Sequence, residues 1–399
     1  MTRKGRIWSV GLAAAVLALV PLMAAELPGA PFHVRPSDLP KPFATPAVDN
    51  SSHVVARPPG ARPVAPKGFE VSLFASGLTH PRFLLQLPDG DVLVSEPDAG
   101  KVTVLHDGKA SDYVTGFDKP HGLAFHGGAV YVADLKAVWR LAYKDRSLSA
   151  GARTRVTKDG FGPIGGHFSR DIAFDREGNL FLAIGSMSNV DEEAPPRATV
   201  QKVDAQGHLH TFVSGTRNPV GLVLKPGTDD LYITVNERDG YGDALVPDYL
   251  TRIQQGDFFG WPYAYTGPHP DPTYGKKRPD LVAKTKTPDV LFASHSAPLG
   301  FAFYDGSQFP AGFRGDAIVA LHGSWNSGKP TGYKVVRVRF ANGRPTGEYD
   351  DFLTGFWDGK SSPAQVWGRP VGVVVLKDGS LLVSDDAGKA IWRVTYTGR

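Results

Sequence analysis

One short pattern recurs along most of this chain, and it limits the fold more than any other feature. An apolar strand is followed by a tight turn, usually carrying Gly, and then by a second apolar strand that often ends in a small residue or an acid. The pattern runs through Phe83 to Glu96, Gly122 to Asp134, Asp171 to Ile184, Gly221 to Val235, Gly300 to Leu321 in a looser form, and Gly372 to Asp385. Within each copy apolar residues alternate, so that one face of a strand is buried. Six repeats of one hairpin, with no long amphipathic helix between them, predict an all-β, six-bladed β-propeller. A ring of blades must close without leaving an exposed edge. Ala390 to Tyr396 and Phe69 to Phe74 are the expected seam. Two unrelated β-sandwiches would be the alternative, but they give no reason for the same hairpin to return six times.

Three segments are expected. Residues 1–25 read as an export signal: Arg3, Lys4 and Arg6 form a basic head, Trp8 to Met23 carry no charge, and small residues follow at Ala24 and Ala25. An uncleaved anchor would look similar, although the apolar stretch is short for a membrane span. The Arg-Lys head favours general secretion over the twin-arginine route. Residues 26–66 are rich in Pro and predict an extended lead-in on the surface. Residues 67–399 hold the propeller. The mature protein is therefore expected in a periplasm or outside the cell, without a stable membrane span.

Charge and cysteine content remove several function classes. Loss of Arg3, Lys4 and Arg6 leaves 41 basic residues against 40 acidic ones, a net charge of +1 instead of +4. No basic run suits a phosphate backbone, so no nucleic-acid partner is expected. The chain contains no Cys, which excludes disulfides, thiolate zinc sites and covalent haem attachment. No Walker loop, nucleophile elbow or dinucleotide fingerprint occurs in a suitable strand–helix context.

The candidate chemistry sits at the edges of the hairpins. His167 follows Gly165-Gly166 and could act as a general base near neutral pH; a structural, hydrogen-bonded histidine fits the same position. Arg217-Asn218 precedes the fourth hairpin and suits carbonyl or carboxylate oxygens, as would a surface Arg beside a turn Asn. Asn236 to Asp243 follows that hairpin and supplies hard oxygen ligands suited to calcium, or a solvated acidic turn. Arg82, His322 and Arg369 occupy corresponding edges. In a propeller the polar strand ends face the channel mouth, where these positions can converge on one site. The irregular stretch from about Asn236 to Ser294 is the largest insertion and the expected functional loop.

Together, Gly165-Gly-His167, Arg217-Asn-Pro-Val-Gly221, Asn236-Glu-Arg-Asp-Gly240, Gly260-Trp-Pro262, Leu321-His-Gly-Ser-Trp325 and Arg369-Pro-Val-Gly372 resemble the soluble quinoprotein sugar dehydrogenases, in particular their sorbosone and aldose sugar dehydrogenase-like branch. The resemblance runs from about Lys67 to Tyr396. It implies a six-bladed propeller with pyrroloquinoline quinone (PQQ) and Ca²⁺ in its mouth, a sugar-like substrate, and an external electron acceptor. It further implies that His167 takes the substrate's hydroxyl proton and that Arg217 and Asn218 polarise the quinone oxygens. Arg82, His322 and Arg369 would hold the cofactor's carboxylates or flank the substrate. The Gly-Pro pair whose carbonyls bind calcium in the family corresponds to Arg238-Asp239, where Asp239 could bind through its side chain instead. His322 replaces a family Lys, Gly372 replaces a second Arg, and Ser186 stands near the place of an expected acid. A calcium-dependent lactone hydrolase and a non-catalytic sugar- or protein-binding propeller are the competing functions.

Overall fold

The structure, a computed structural model, describes residues 27–398. The expected export signal at 1–25 lies outside the described residues. Six antiparallel blade sheets follow one another along the chain, five of four strands and one, the fifth along the chain, extended to five by a strand of the N-terminal segment. Their innermost strands are Leu84–Gln86, Leu123–His126, Arg170–Phe174, Asn218–Leu224, Pro298–Phe303 and Pro370–Val375, which we number as blades 1 to 6. Each innermost strand touches the next, and the sixth touches the first, so the ring is closed. The six hairpins of the sequence are the two inner strands of these blades.

Closure uses both ends of the propeller segment. Phe69–Ser76 pairs antiparallel with Ala390–Tyr396 and completes blade 6. The seam therefore falls inside a sheet, where a ladder of hydrogen bonds holds it, and not between two sheets.

The hydrophobic core is divided accordingly. One apolar cluster fills each junction between neighbouring blades. Between blades 5 and 6, for example, Tyr304, Phe309 and Phe352 pack with Trp392 and Val383. Alternation along each strand sends one set of side chains to one neighbouring blade and the other set to the opposite neighbour.

Two expectations are revised. The stretch after Asn236 is not irregular throughout: Tyr249–Ile253 and Val290–Leu291 are the outer strands of blade 4, residues 237–248 form a loop before them, and the segment between them holds a small hairpin, Ala264–Tyr265 with His269–Pro270, and a short helix, Pro279–Lys284. The acids that end the second strands do not face the mouth. Asp134 and Asp385 each accept an indole N–H, from Trp139 at 2.9 Å and Trp392 at 3.1 Å. Glu96 accepts from the Thr79 N–H and the Thr103 hydroxyl. These buried carboxylates fasten one strand to the next.

The Pro-rich segment runs over the surface as a strap. Pro31–Phe32 pairs with the outer edge of blade 5. The Phe43 N–H then donates to the Tyr241 carbonyl at 2.8 Å, and the Asn50 N–H to the Trp325 carbonyl at 2.6 Å. His53–Val54 pairs in parallel with Gln365–Val366, and Val64 bridges Thr354. With so many Pro residues the segment satisfies few of its own backbone groups, so it borrows partners from the loops it crosses.

Candidate active site

A cavity of about 490 Å³ opens at one end of the ring. His167, Arg82, Arg217, Asn218, His322 and Arg369 all line it, as does Asp239. Positions scattered over nearly 290 residues of sequence thus meet at one place, because each lies at an inner-strand edge.

The backbone explains why those edges converge. Blades 4, 5 and 6 begin with a Pro-x-Gly step, at Pro219, Pro298 and Pro370, and the ladder shifts register there in each. The residue before each Pro, Asn218, Ala297 or Arg369, is turned into the cavity. The glycines let the blades approach. A Cβ on Gly300 would lie 2.8 Å from the Val371 carbonyl, and one on Gly372 would collide with the Arg82 carbonyl. Each is a contact with the next blade in the ring.

His167 is held by a similar economy. A Cβ on Gly166, whose φ is +57°, would strike the Met187 backbone, so only Gly lets this loop lie against the Ser186 segment. The His167 Nδ1 is 3.0 Å from both the carbonyl and the hydroxyl oxygen of Ser186. That hydroxyl already donates to the Ser188 carbonyl at 2.7 Å. Both Ser186 oxygens therefore act as acceptors, Nδ1 carries the hydrogen, and Nε2 keeps its lone pair. Burial, reinforced by the Arg217 charge, pushes the imidazole down to about 4. It is neutral at physiological pH and can accept a proton at Nε2.

The Arg217 guanidinium contacts Asp239 at 2.9 Å and both the side-chain and main-chain oxygens of Asn189 at 2.9 and 3.0 Å. His295 lies 3.6 Å from the other Asp239 oxygen and donates from Nε2 to the Gly242 carbonyl at 2.9 Å. Burial works to raise Asp239, but His295 and Arg217 outweigh it and hold the carboxyl below its ordinary range. The Asn218 Oδ1 is buried without a hydrogen-bond partner among the described residues.

Asp386 is the hub of a second cluster. It pairs with Arg82 at 2.7 Å, His80 at 2.9 Å and His322 at 2.9 Å. Burial would raise this carboxyl, yet His322, His80 and Arg82 hold it well below the usual range. Arg369 donates to the carbonyls of His322 and Gly323 at 3.0 and 3.1 Å.

Arg238 does not join the cavity wall. Its guanidinium is fully buried, paired with Glu237 at 3.0 Å and Asp271 at 2.8 Å, and it also donates to the Pro262 and Ala264 carbonyls. Of the two expected metal positions, the Arg238 side chain is therefore part of the scaffold beneath the loop, and only Asp239 presents a carboxylate to the cavity. Among the described residues no group of three or more His, Cys, Asp or Glu is arranged to hold a metal ion.

Several lining residues were not singled out from the sequence: His80, Asp248, His295 and Asn326. A signal existed for one of them: His80 immediately precedes Pro81, so reading the pre-proline positions as a repeat would have marked it.

The family model described as TrAA12-like matches residues 63–247 and 248–397. The chain belongs to the TrAA12-like family. That agrees with the resemblance to quinoprotein sugar dehydrogenases seen in the sequence. A pyrroloquinoline quinone-dependent pyranose dehydrogenase from Coprinopsis cinerea is 27% identical to this TrAA12-like chain, over 82% of it and 53% of the relative. The TrAA12-like chain thus spans about half the length of that relative. The solved holo form of the Coprinopsis PQQ domain superposes with a TM-score of 0.72 at 22% identity, covering 86% of this chain and 100% of the domain. A calcium structure of the Trichoderma reesei family AA12 protein gives 0.71 at 21% identity, covering 87% and 99%. These superpositions bear out the propeller fold.

Proposed function

We propose that this protein is a PQQ-dependent dehydrogenase that oxidises a sugar, or a related alcohol or aldehyde, in the cavity at the propeller mouth. The observation that carries the reading is the meeting of a neutral His167, its Nε2 unengaged, with three guanidiniums, Arg82, Arg217 and Arg369, in one cavity. The volume falls in the range of about 300–1,000 Å³ typical of sites for small organic ligands. PQQ is a tricarboxylate with adjacent quinone oxygens, and the donors fit it: two guanidiniums at the Asp386 cluster for carboxylates, and Arg217 with the unpartnered Asn218 amide for polar oxygens. Bound there, PQQ supplies the sink for the electron pair leaving the sugar. His167 takes the hydroxyl proton at Nε2, and Ser186 keeps the imidazole in the competent tautomer. An external acceptor then receives the electrons.

Calcium is proposed at Asp239, joined by main-chain carbonyls of the 238–239 step. The Arg238 guanidinium is committed elsewhere, so this residue can offer only its carbonyl. The Coprinopsis pyranose dehydrogenase makes pyranoses the first substrates to test, with sorbosone-like sugars beside them. The basic and apolar N-terminal residues support a periplasmic or secreted location, and among the described residues no helix is long and apolar enough to cross a membrane.

The test is reconstitution. PQQ and Ca²⁺ added to the apo-protein should raise its melting temperature, and a panel of sugars should then drive dye reduction. No dye reduction, with an unchanged quinone absorption band, would sink the reading. Lactone hydrolysis without quinone would favour the hydrolase.

A further inference from the structure

The proposed reaction uses one imidazole, but the cavity contains a second that is equally prepared. His322 follows the second strand of blade 5, and Asp386 follows that of blade 6. The His322 Nε2 lies 3.0 and 2.9 Å from the two Asp386 oxygens. An ionised carboxylate only accepts, so Nε2 carries the hydrogen and Nδ1 keeps a lone pair. His322 lines the cavity, and its Nδ1 makes no hydrogen bond among the described residues. The two histidines are therefore fixed in opposite tautomers, each presenting an unprotonated nitrogen.

The stoichiometry leaves work for a second base. Oxidising a secondary alcohol to a carbonyl releases two electrons and two protons. The hydroxyl proton goes to His167. The hydrogen on carbon leaves with the electron pair, and its proton is released only when the external acceptor withdraws those electrons. We propose that His322 accepts this second proton at Nδ1, in the oxidative half of the cycle, with Asp386 as the positioning residue that fixes its tautomer and stabilises its positive charge. This assignment rests on the dehydrogenase reading.

The charges around His322 suit an acceptor that is empty at rest. Arg369 and Arg82 face it, together with Asp386, while His80 approaches Asp386 from the other side and contacts Asp98 at 3.1 Å. Burial and the Arg369 charge push His322 down to about 4, against the pull of Asp386. Anionic groups of a cofactor on Arg82 and Arg369 would offset those guanidiniums and raise the proton affinity of His322 when it is needed.

The half-reactions separate this proposal from the reading beneath it. In His322→Gln, acceptor reduction by the pre-reduced enzyme should slow at least ~100-fold more than reduction of the bound quinone by sugar does, the lower end of what a lost acid–base group costs. Imidazole buffer should restore part of that rate. An unchanged oxidative rate, or equal slowing of both halves, would overturn the proposal. Failure of sugar to bleach the quinone in the unmodified protein would instead remove the dehydrogenase reading itself. A readout independent of turnover is the ¹⁵N spectrum of the apo-protein. It should show His322 as the Nε2–H tautomer, and a Nδ1–H tautomer would overturn the assignment.

Discussion

The backbone N–H of Asn50, in the N-terminal strap, donates to the carbonyl of Trp325 at the rim of the cavity, 2.6 Å away. The Asn50 side chain adds bonds to the Ser327 carbonyl at 2.8 Å and the Ser362 hydroxyl at 3.1 Å. A few residues earlier, Thr45 accepts from the Asp243 N–H at 2.7 Å, and Asp243 in turn accepts from the Gly328 N–H at 2.8 Å. The strap thus joins the loops of blades 4 and 5 that form two walls of the site. Asn50→Ala is expected to loosen the Trp325 loop. Losing hydrogen bonds of about 0.5–1.5 kcal/mol each predicts a KM raised roughly 2- to 10-fold with kcat little changed. Steady-state kinetics on the reconstituted enzyme check it, and equal loss in kcat would count against a positioning role.

His167→Ala should lower kcat by about 10²–10⁴-fold while PQQ still binds, since a general base acts on the reaction and not on cofactor retention. Cofactor titration by absorbance alongside turnover separates the two. A variant with full activity removes His167 as the base.

The acid limb of the pH profile follows from the same group. A base must be unprotonated to work, and burial with Arg217 holds His167 down to about 4. Activity should therefore persist through pH 6, where an ordinary histidine is largely charged, and fall only as pH approaches 4. Arg217→Met removes one of the two main causes, so the His167 titration followed by NMR in the apo-protein should move to higher pH. Movement to lower pH would contradict the electrostatic account.

Gly372→Ala places a methyl group against the Arg82 carbonyl and beside the Ser384 hydroxyl. Overpacking of this kind costs about 1–3 kcal/mol. Since the contact joins blade 6 to blade 1, and Arg82 reaches the cavity from it, the variant should show both a lower melting temperature and weaker cofactor binding. Calorimetry with and without PQQ distinguishes the two losses.

Arg238→Met should be destabilising by about 3–5 kcal/mol, because Glu237 and Asp271 would remain buried without their cation. Denaturant unfolding measures this. A stability change near zero would mean that the guanidinium is not the centre of that network.

Most of the ring is legible in the sequence. The hairpins Phe83 to Glu96 and Gly372 to Asp385 are visible because a strand's alternation is local, and the seam partner Phe69 to Phe74 follows from the need to close a sheet. The outer strands of blade 4 were not legible. Tyr249–Ile253 and Val290–Leu291 are separated by 36 residues, and Val290–Leu291 is too short to carry a period. The acids Glu96, Asp134 and Asp385 were misplaced for a related reason. Their position at a strand end is local, but which side of the sheet receives them depends on the indole or hydroxyl opposite.

The sequence by itself determined the propeller, the number of its blades and the residues that stand at the blade edges. Periodicity and Pro-x-Gly punctuation are properties of neighbouring residues along the chain. Only the tertiary structure decided what those residues do to one another. His167 and His322 take opposite tautomers because Ser186 supplies acceptors to one and Asp386 an anion to the other. Arg238 is scaffold and Asp239 is wall because a buried guanidinium needs carboxylates that the chain brings from 33 residues away in Asp271. Tautomers and charge pairing depend on distances through space, and those exist only once the ring has closed.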